Sequence, residues 1–141
     1  TKAEEGHDIN IKFDEMCNII GTETAEMLRD ISLKIYKKAR EIAEKKGIII
    51  ADTKMEFGFY DNKLILIDEL LTPDSSRFWS AKDYHPGKSQ DSFDKQIVRD
   101  YLLTLNWDHT YPGPTLPNYI VEKTASRYRE IWEILTGDNN K

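Results

Sequence analysis

Asp52, Lys54 and Glu56 alternate along the segment ADTKMEF. In an extended strand such alternation sends all three charged side chains to one face, with successive Cα atoms roughly 6.5 to 7 Å apart, and sends Thr53, Met55 and Phe57 to the other. Hard cations take carboxylate oxygens and lysine neutralises phosphate, so this row suits a site for Mg²⁺ and phosphate. A solvated ladder of ion pairs has the same pattern, and spacing alone leaves both readings open. Asp68 and Glu69 follow the apolar run LILI. A hairpin turning at Asp61 and Asn62 sets Asp68 opposite residue 55 or 56, within reach of Glu56. Two carboxylates so placed repel unless a cation or a proton lies between them.

Arg77 stands beside two hydroxyls, Ser75 and Ser76, in the segment PDSSRFW. A guanidinium fork with neighbouring donors fits a phosphate monoester, and an ordinary turn with a surface arginine fits equally well. Ser92, Asp94, Lys95 and Gln96 open a helical pattern, where free backbone N–H groups favour anions; they also suit a plain cap and a solvated first turn. His7 and Asp8, near the amino terminus, read by themselves as structural or solvated. One cysteine and three scattered histidines, His7, His85 and His109, make no closed zinc set. Neither GxxxxGK[ST] nor GxGxxG occurs, so any ATP phosphates must be covered by elements from elsewhere.

The elements that position these groups follow from periodicity. Leu28, Ile31, Ile35, Ala39 and Ile42 recur at steps of three and four, which predicts a long amphipathic helix over 22–46 stopped by Gly47. Two isoleucine-rich strands on either side of Asp61 and Asn62 predict an antiparallel hairpin, and residues 72–91, dense in Pro, Gly, Ser and Asp, predict a long surface loop. Phe93, Ile97, Tyr101 and Leu105 predict a second helix from Ser92 to about Leu105. A last helix is expected from Pro117 or Asn118 to Gly137, burying Val121, Thr124, Tyr128, Ile131 and Leu135. The expected fold is α+β, an antiparallel hairpin packed with about three main helices, in one domain over 1–137 with a polar tail at 138–141.

Composition narrows the function. The 141 residues carry a net charge of −5 with 32% charged side chains of both signs, which argues against a general nucleic-acid binder. A lone Cys17 allows no intrachain disulfide, and a reducing cytoplasm is the expected setting. Apolar runs such as Ile48 to Ala51 fall far short of the roughly 20 residues that span a bilayer, so a soluble chain with no membrane partner is expected.

Four blocks, GIIIADTKMEFG, IDELLTPDSSRFW, SFDKQIVRDYL and LPNYIVEKTASRYREIWEILTG, occur in this order, preceded by KAEEGHDINI. Together they resemble the SAICAR synthetases over nearly the whole chain, from Lys2 to Gly137. The resemblance implies the larger lobe of a two-lobed ATP-cleft fold, with the smaller amino-terminal lobe supplied by the same protein or by a separate chain. It further implies an ATP-dependent ligation of carboxyaminoimidazole ribonucleotide with L-aspartate in de novo purine biosynthesis, giving SAICAR, ADP and phosphate through an acyl phosphate. By motif position Glu56 and Asp68 resemble Mg²⁺ ligands. Lys54 and Asp52 resemble partners of the nucleotide and the transferring phosphoryl group. Arg77, with Ser76 beside it, resembles the binder of the ribose phosphate. Asp8 resembles a further substrate-site residue, and Asp94 and Lys95 resemble lining of the same pocket. A homo-oligomer is compatible with the resemblance. A related ATP-dependent phosphotransferase and a non-enzymatic nucleotide-binding domain are the alternatives.

Overall fold

A computed structural model describes residues 9–137. They fall into two compact units that divide between Tyr36 and Lys37.

The first unit holds α1 (Phe13–Ile20) and the beginning of α2 (Thr22–Glu44). Asp14 and Glu15 lie in the first turn of α1, where they complement the helix dipole. Gly21, at φ +86°, separates the two helices and donates its N–H to the Cys17 carbonyl at 2.9 Å. A side chain resists that backbone conformation, so glycine is what lets one helix end and the next begin within a single residue. Helix α1 lies outside the elements that periodicity predicts. Its eight residues are too few to establish a period.

The second unit takes up the end of α2, which stops two residues before the expected bound and passes into Gly47 at φ +73°. Strand β1 (Ile48–Thr53) then pairs antiparallel with β4 (Ser76–Ser80). Ile48, Ile50 and Phe78 are buried and form the centre of the unit's core. The register is irregular between Ile50 and Asp52: Ile50 faces Phe78 and Asp52 faces Arg77, leaving Ala51 as an extra residue in β1. This bulge aligns Asp52 with the neighbour of buried Phe78, which alternates to the opposite, open face.

Two expectations need correction here. Residues 72–91 are not one loop, because Ser76–Ser80 form β4; a five-residue strand flanked by Pro, Asp and Ser carries little local signal, and its partner lies more than 20 residues away. The first predicted strand is also not continuous. It breaks after Thr53, where the Lys54 N–H turns to the Ser75 carbonyl at 2.8 Å, and β2 (Glu56–Tyr60) begins a second sheet with β3 (Lys63–Ile67). Asp52, Lys54 and Glu56 therefore do not share one strand face. The hairpin itself matches expectation, with Asp61 and Asn62 both at positive φ in its two-residue turn.

Helix α3 (Gln96–Leu103) is shorter than predicted. Ser92 and Phe93 are tied to β4 instead: the Phe93 N–H and the Ser92 hydroxyl both donate to the Phe78 carbonyl, at 3.0 and 3.2 Å. Helix α4 (Asn118–Thr136) starts after Pro117 and ends at Gly137, φ +77°, as its cap residues require. Its buried residues are Ile120 and Ile131, whereas Val121 is half exposed, so the inward stripe lies one residue earlier than expected at its start. Four helices and two two-stranded antiparallel sheets among the described residues make an α+β fold. No helix among them is long and apolar enough to cross a membrane.

Candidate active site

The end of β1, the turn before β4, Arg77 and the start of α3 enclose an open cavity of about 560 Å³. Eight residues singled out from sequence line it: Asp52, Lys54, Ser75, Ser76, Arg77, Asp94, Lys95 and Gln96. Asp74 and Arg99, which sequence reasoning did not select, complete the charged wall. Arg99 had a usable signal, since it follows Lys95 by four on a helix and so shares its face. Asp74 had only its place in PDSSR.

Backbone structure fixes the cavity's floor. Thr72 closes a tight turn, its carbonyl accepting the Ser75 and Ser76 N–H groups at 3.1 and 2.9 Å. Buried Ser76 then donates its hydroxyl to Thr53 Oγ1 at 2.8 Å, pinning the start of β4 to the end of β1. Arg77 is thus a strand residue and not a loop residue. Its fork grips Asp52: Nε donates to Oδ1 at 2.9 Å and to Oδ2 at 3.1 Å, and Nη2 donates to Oδ2. This guanidinium holds the Asp52 carboxyl below its ordinary range, and the carboxylate in turn raises Arg77.

Along the cavity the cations are held by acids. Lys95 Nζ meets Asp74 Oδ1 at 2.7 Å and holds that carboxyl below its ordinary value. Lys54 pairs with Glu56 across the break between β1 and β2. Asp94, only 1% exposed, accepts the Gln96 N–H at 3.0 Å with Oδ1 and Arg99 Nη1 at 2.9 Å with Oδ2. A carboxylate this buried is tolerable because both oxygens are satisfied and one partner is charged. It anchors the first turn of α3 and aims Arg99. On α4, burial and the charges of Asp74 and Asp94 push the Tyr128 phenol up.

The two acids assigned to Mg²⁺ lie outside this lining. Glu56 opens β2 opposite Ile67, and Asp68 follows Ile67 directly, in the left-handed region at φ +65° just past the end of β3. A hydrogen bond between the carboxyls of Asp68 and Glu69 pushes Glu69 up. Among the described residues no three His, Cys, Asp or Glu side chains form a metal-holding cluster. Asp8 and His7 lie outside the described residues.

The family model of SAICAR synthetase matches residues 1–114. The phosphoribosylaminoimidazole-succinocarboxamide synthase of Thermodesulfovibrio yellowstonii is 69% identical over 136 residues, covering 96% of this chain and 47% of that protein. That of Citrifermentans bemidjiense is 59% identical over 138 residues, covering 97% and 47%. Among solved structures, the SAICAR synthase of Saccharomyces cerevisiae complexed with SAICAR superposes with a TM-score of 0.79 at 44% identity, over 93% of this chain and 44% of that one. A SAICAR synthetase in complex with ADP gives 0.68 at 29% identity, over 96% and 48%. The chain thus spans about half the length of the curated relatives it matches. The family match extends from the start of the chain through the cavity and α3, and on that ground this chain belongs to the SAICAR synthetase family.

Proposed function

We propose that this chain supplies the larger lobe of a SAICAR synthetase, which joins carboxyaminoimidazole ribonucleotide to L-aspartate at the expense of ATP. The observation that carries this reading is the convergence of Asp52, Lys54, Ser76, Arg77, Asp94 and Lys95 on one open cavity in a chain of this family. The imidazole carboxylate attacks the γ-phosphoryl of ATP, giving an acyl phosphate and ADP. The aspartate amine then attacks the acyl carbon, and phosphate leaves as the amide forms. Little covalent chemistry falls to the protein, which positions reactants and offsets charge.

Charged side chains in and beside the cavity divide that task. Arg77 offers a planar fork to the ribose phosphate, and Asp52 holds the fork in register until phosphate oxygens share it. Lys54 and Lys95 neutralise phosphoryl oxygens, their acidic partners keeping each ammonium in place. Asp94 acts as a positioning residue through Arg99 and the α3 backbone. Glu56 and Asp68 present hard carboxylate oxygens, the donor chemistry that suits Mg²⁺. When bound by Glu56 and Asp68, Mg²⁺ would offset the charge on the ATP phosphates.

The test supplies the remainder of the fold by coexpressing this chain with the unmatched portion of the T. yellowstonii synthase. SAICAR should form only when ATP, the imidazole nucleotide and aspartate are all present. ATP turnover that ignores aspartate would favour a related phosphotransferase, and nucleotide binding without turnover would favour a non-enzymatic domain.

A further inference from the structure

The block LPNYIVEKTASRYREIWEILTG contains α4, and no residue of that helix lines the cavity that holds Asp94 and Lys95. Arg127 of α4 nevertheless reaches the segment that carries them. Its Nη2 donates to Asp91 Oδ2, its Nη1 donates to Glu130 Oε2 at 3.0 Å, and its guanidinium carbon lies 5.3 Å from the centre of the Phe93 ring. The Asp91 side chain is 72% exposed, and an ion pair of that kind is weak by itself. Here one planar group serves three partners. Glu130, three residues along α4, orients the fork; the fork holds Asp91; and the charge rests on the ring of buried Phe93.

Residues 91–93 therefore have two supports. β4 holds them through the Phe93 N–H and the Ser92 hydroxyl, both bonded to the Phe78 carbonyl, and α4 holds them through Arg127. Asp94, Lys95 and Gln96 follow directly and line the cavity. Arg77 is placed by other means, the β1–β4 register and its fork on Asp52.

We propose that Arg127 is a positioning residue of the candidate site, setting Lys95 and the opening of α3 against the transferring phosphoryl group while leaving the ribose-phosphate grip of Arg77 unaltered. The inference rests on the synthetase reading and divides that site into two parts with separate supports. Turnover of a positioned reaction falls steeply when a group shifts by about 1 Å, so a slackened 91–96 segment acts on kcat. Binding of the ribonucleotide through Arg77 persists, because β4 and Asp52 do not depend on α4 for that contact.

The experiment compares Arg127→Met, which keeps an apolar stem and removes the charged fork, with Arg127→Lys, Asp91→Asn and the α4 control Arg129→Met, whose guanidinium donates to the Ala125 carbonyl of its own helix. In this chain alone, amide exchange at Phe93 and Gln96 should quicken about tenfold or more in Arg127→Met, while that of Lys54, bonded to the Ser75 carbonyl, stays unchanged. In the enzyme completed by the unmatched portion of the T. yellowstonii synthase, kcat should fall about tenfold or more and the KM for the imidazole ribonucleotide should change less than about twofold. Arg127→Lys should recover most of the lost turnover. Asp91→Asn should lower kcat about threefold or more and add nothing to Arg127→Met in the double variant. If Arg127→Met fails to fold, Asp91→Asn, which leaves α4 intact, carries both measurements. Unchanged exchange, unchanged kcat, a rise in that KM as large as the fall in kcat, or the same losses in Arg129→Met would overturn the proposal. A completed enzyme that makes no SAICAR in its unmodified form rejects the synthetase reading instead, and amide exchange then decides whether Arg127 positions the segment.

Discussion

The two sheets have two strands each and similar lengths, yet one is covered and the other is not. β1–β4 buries Ile48, Ile50 and Phe78 on one side and presents the Asp52–Arg77 pair on the other. β2–β3 leaves Phe59, Tyr60, Ile65, Leu66 and Ile67 each more than a third exposed. Apolar alternation tells which residues share a face; the rest of the fold decides whether that face is buried. In the covered sheet, the rigid interior lets the open face hold charged groups in fixed register. In the bare one, Glu56 and the adjoining Asp68 sit on a two-stranded support whose apolar side chains are exposed.

Truncating one aromatic in each sheet tests that contrast most severely. Phe78→Ala should cost about 3–5 kcal/mol, read by urea unfolding, whereas Phe59→Ala should cost less than about 1 kcal/mol in the isolated chain. Equal costs would mean that the hairpin is as well packed as the core. Glu56→Gln and Asp68→Asn should each lower activity of the completed enzyme about a hundredfold, with melting temperature nearly unchanged and partial rescue by high Mg²⁺. Unaltered Mg²⁺ dependence would return both to simple ion pairing.

Asp94→Ala should cost about 1–3 kcal/mol, since it strips the Gln96 N–H and the Arg99 guanidinium of a buried partner. The value stays below that for a fully buried pair because the Arg99 side chain is 47% exposed and can turn to water. Loss of less than a few tenths would show that α3 does not depend on this anchor.

The smallest effect concerns pH. Asp52 and Asp74 are held by Arg77 and Lys95 below their ordinary value of 3.8. A lowered folded value means that the stabilisation is present above the unfolded value and fades as pH falls through the folded one. Both pairs are largely exposed, so each contributes less than about 1 kcal/mol. Carboxyl NMR titration should give midpoints under 3.8, and Lys95→Gln should return Asp74 towards it while leaving Asp52 unmoved.

Much of this was legible beforehand. The hairpin turn, the stop at Gly47 and the span of α4 follow from local residues such as Asn62, Pro117 and Gly137, whose backbone preferences act where they stand. β4 was not legible, because SRFWS becomes a strand only by meeting β1 across more than 20 residues. That same long-range pairing explains the misplaced Arg77 and the unforeseen Asp52–Arg77 contact. The break after Thr53 escaped notice for the related reason that alternation continues through Lys54 and Glu56 although the hydrogen-bonding partner changes. Asp94 and Lys95 were visible as a helix start, but the burial of Asp94 was not, since only the fold reveals that Arg99 returns to it.

Arg77, as the group proposed to grip a substrate phosphate, is the residue on which the proposed site depends most. In the completed enzyme, steady-state kinetics of Arg77→Lys, which keeps the charge and loses the fork, tests it most directly. The KM for carboxyaminoimidazole ribonucleotide should rise at least tenfold while those for ATP and aspartate change less than about twofold. Equal shifts for all three substrates, or none, would contradict the assignment and leave Arg77 as the structural partner of Asp52.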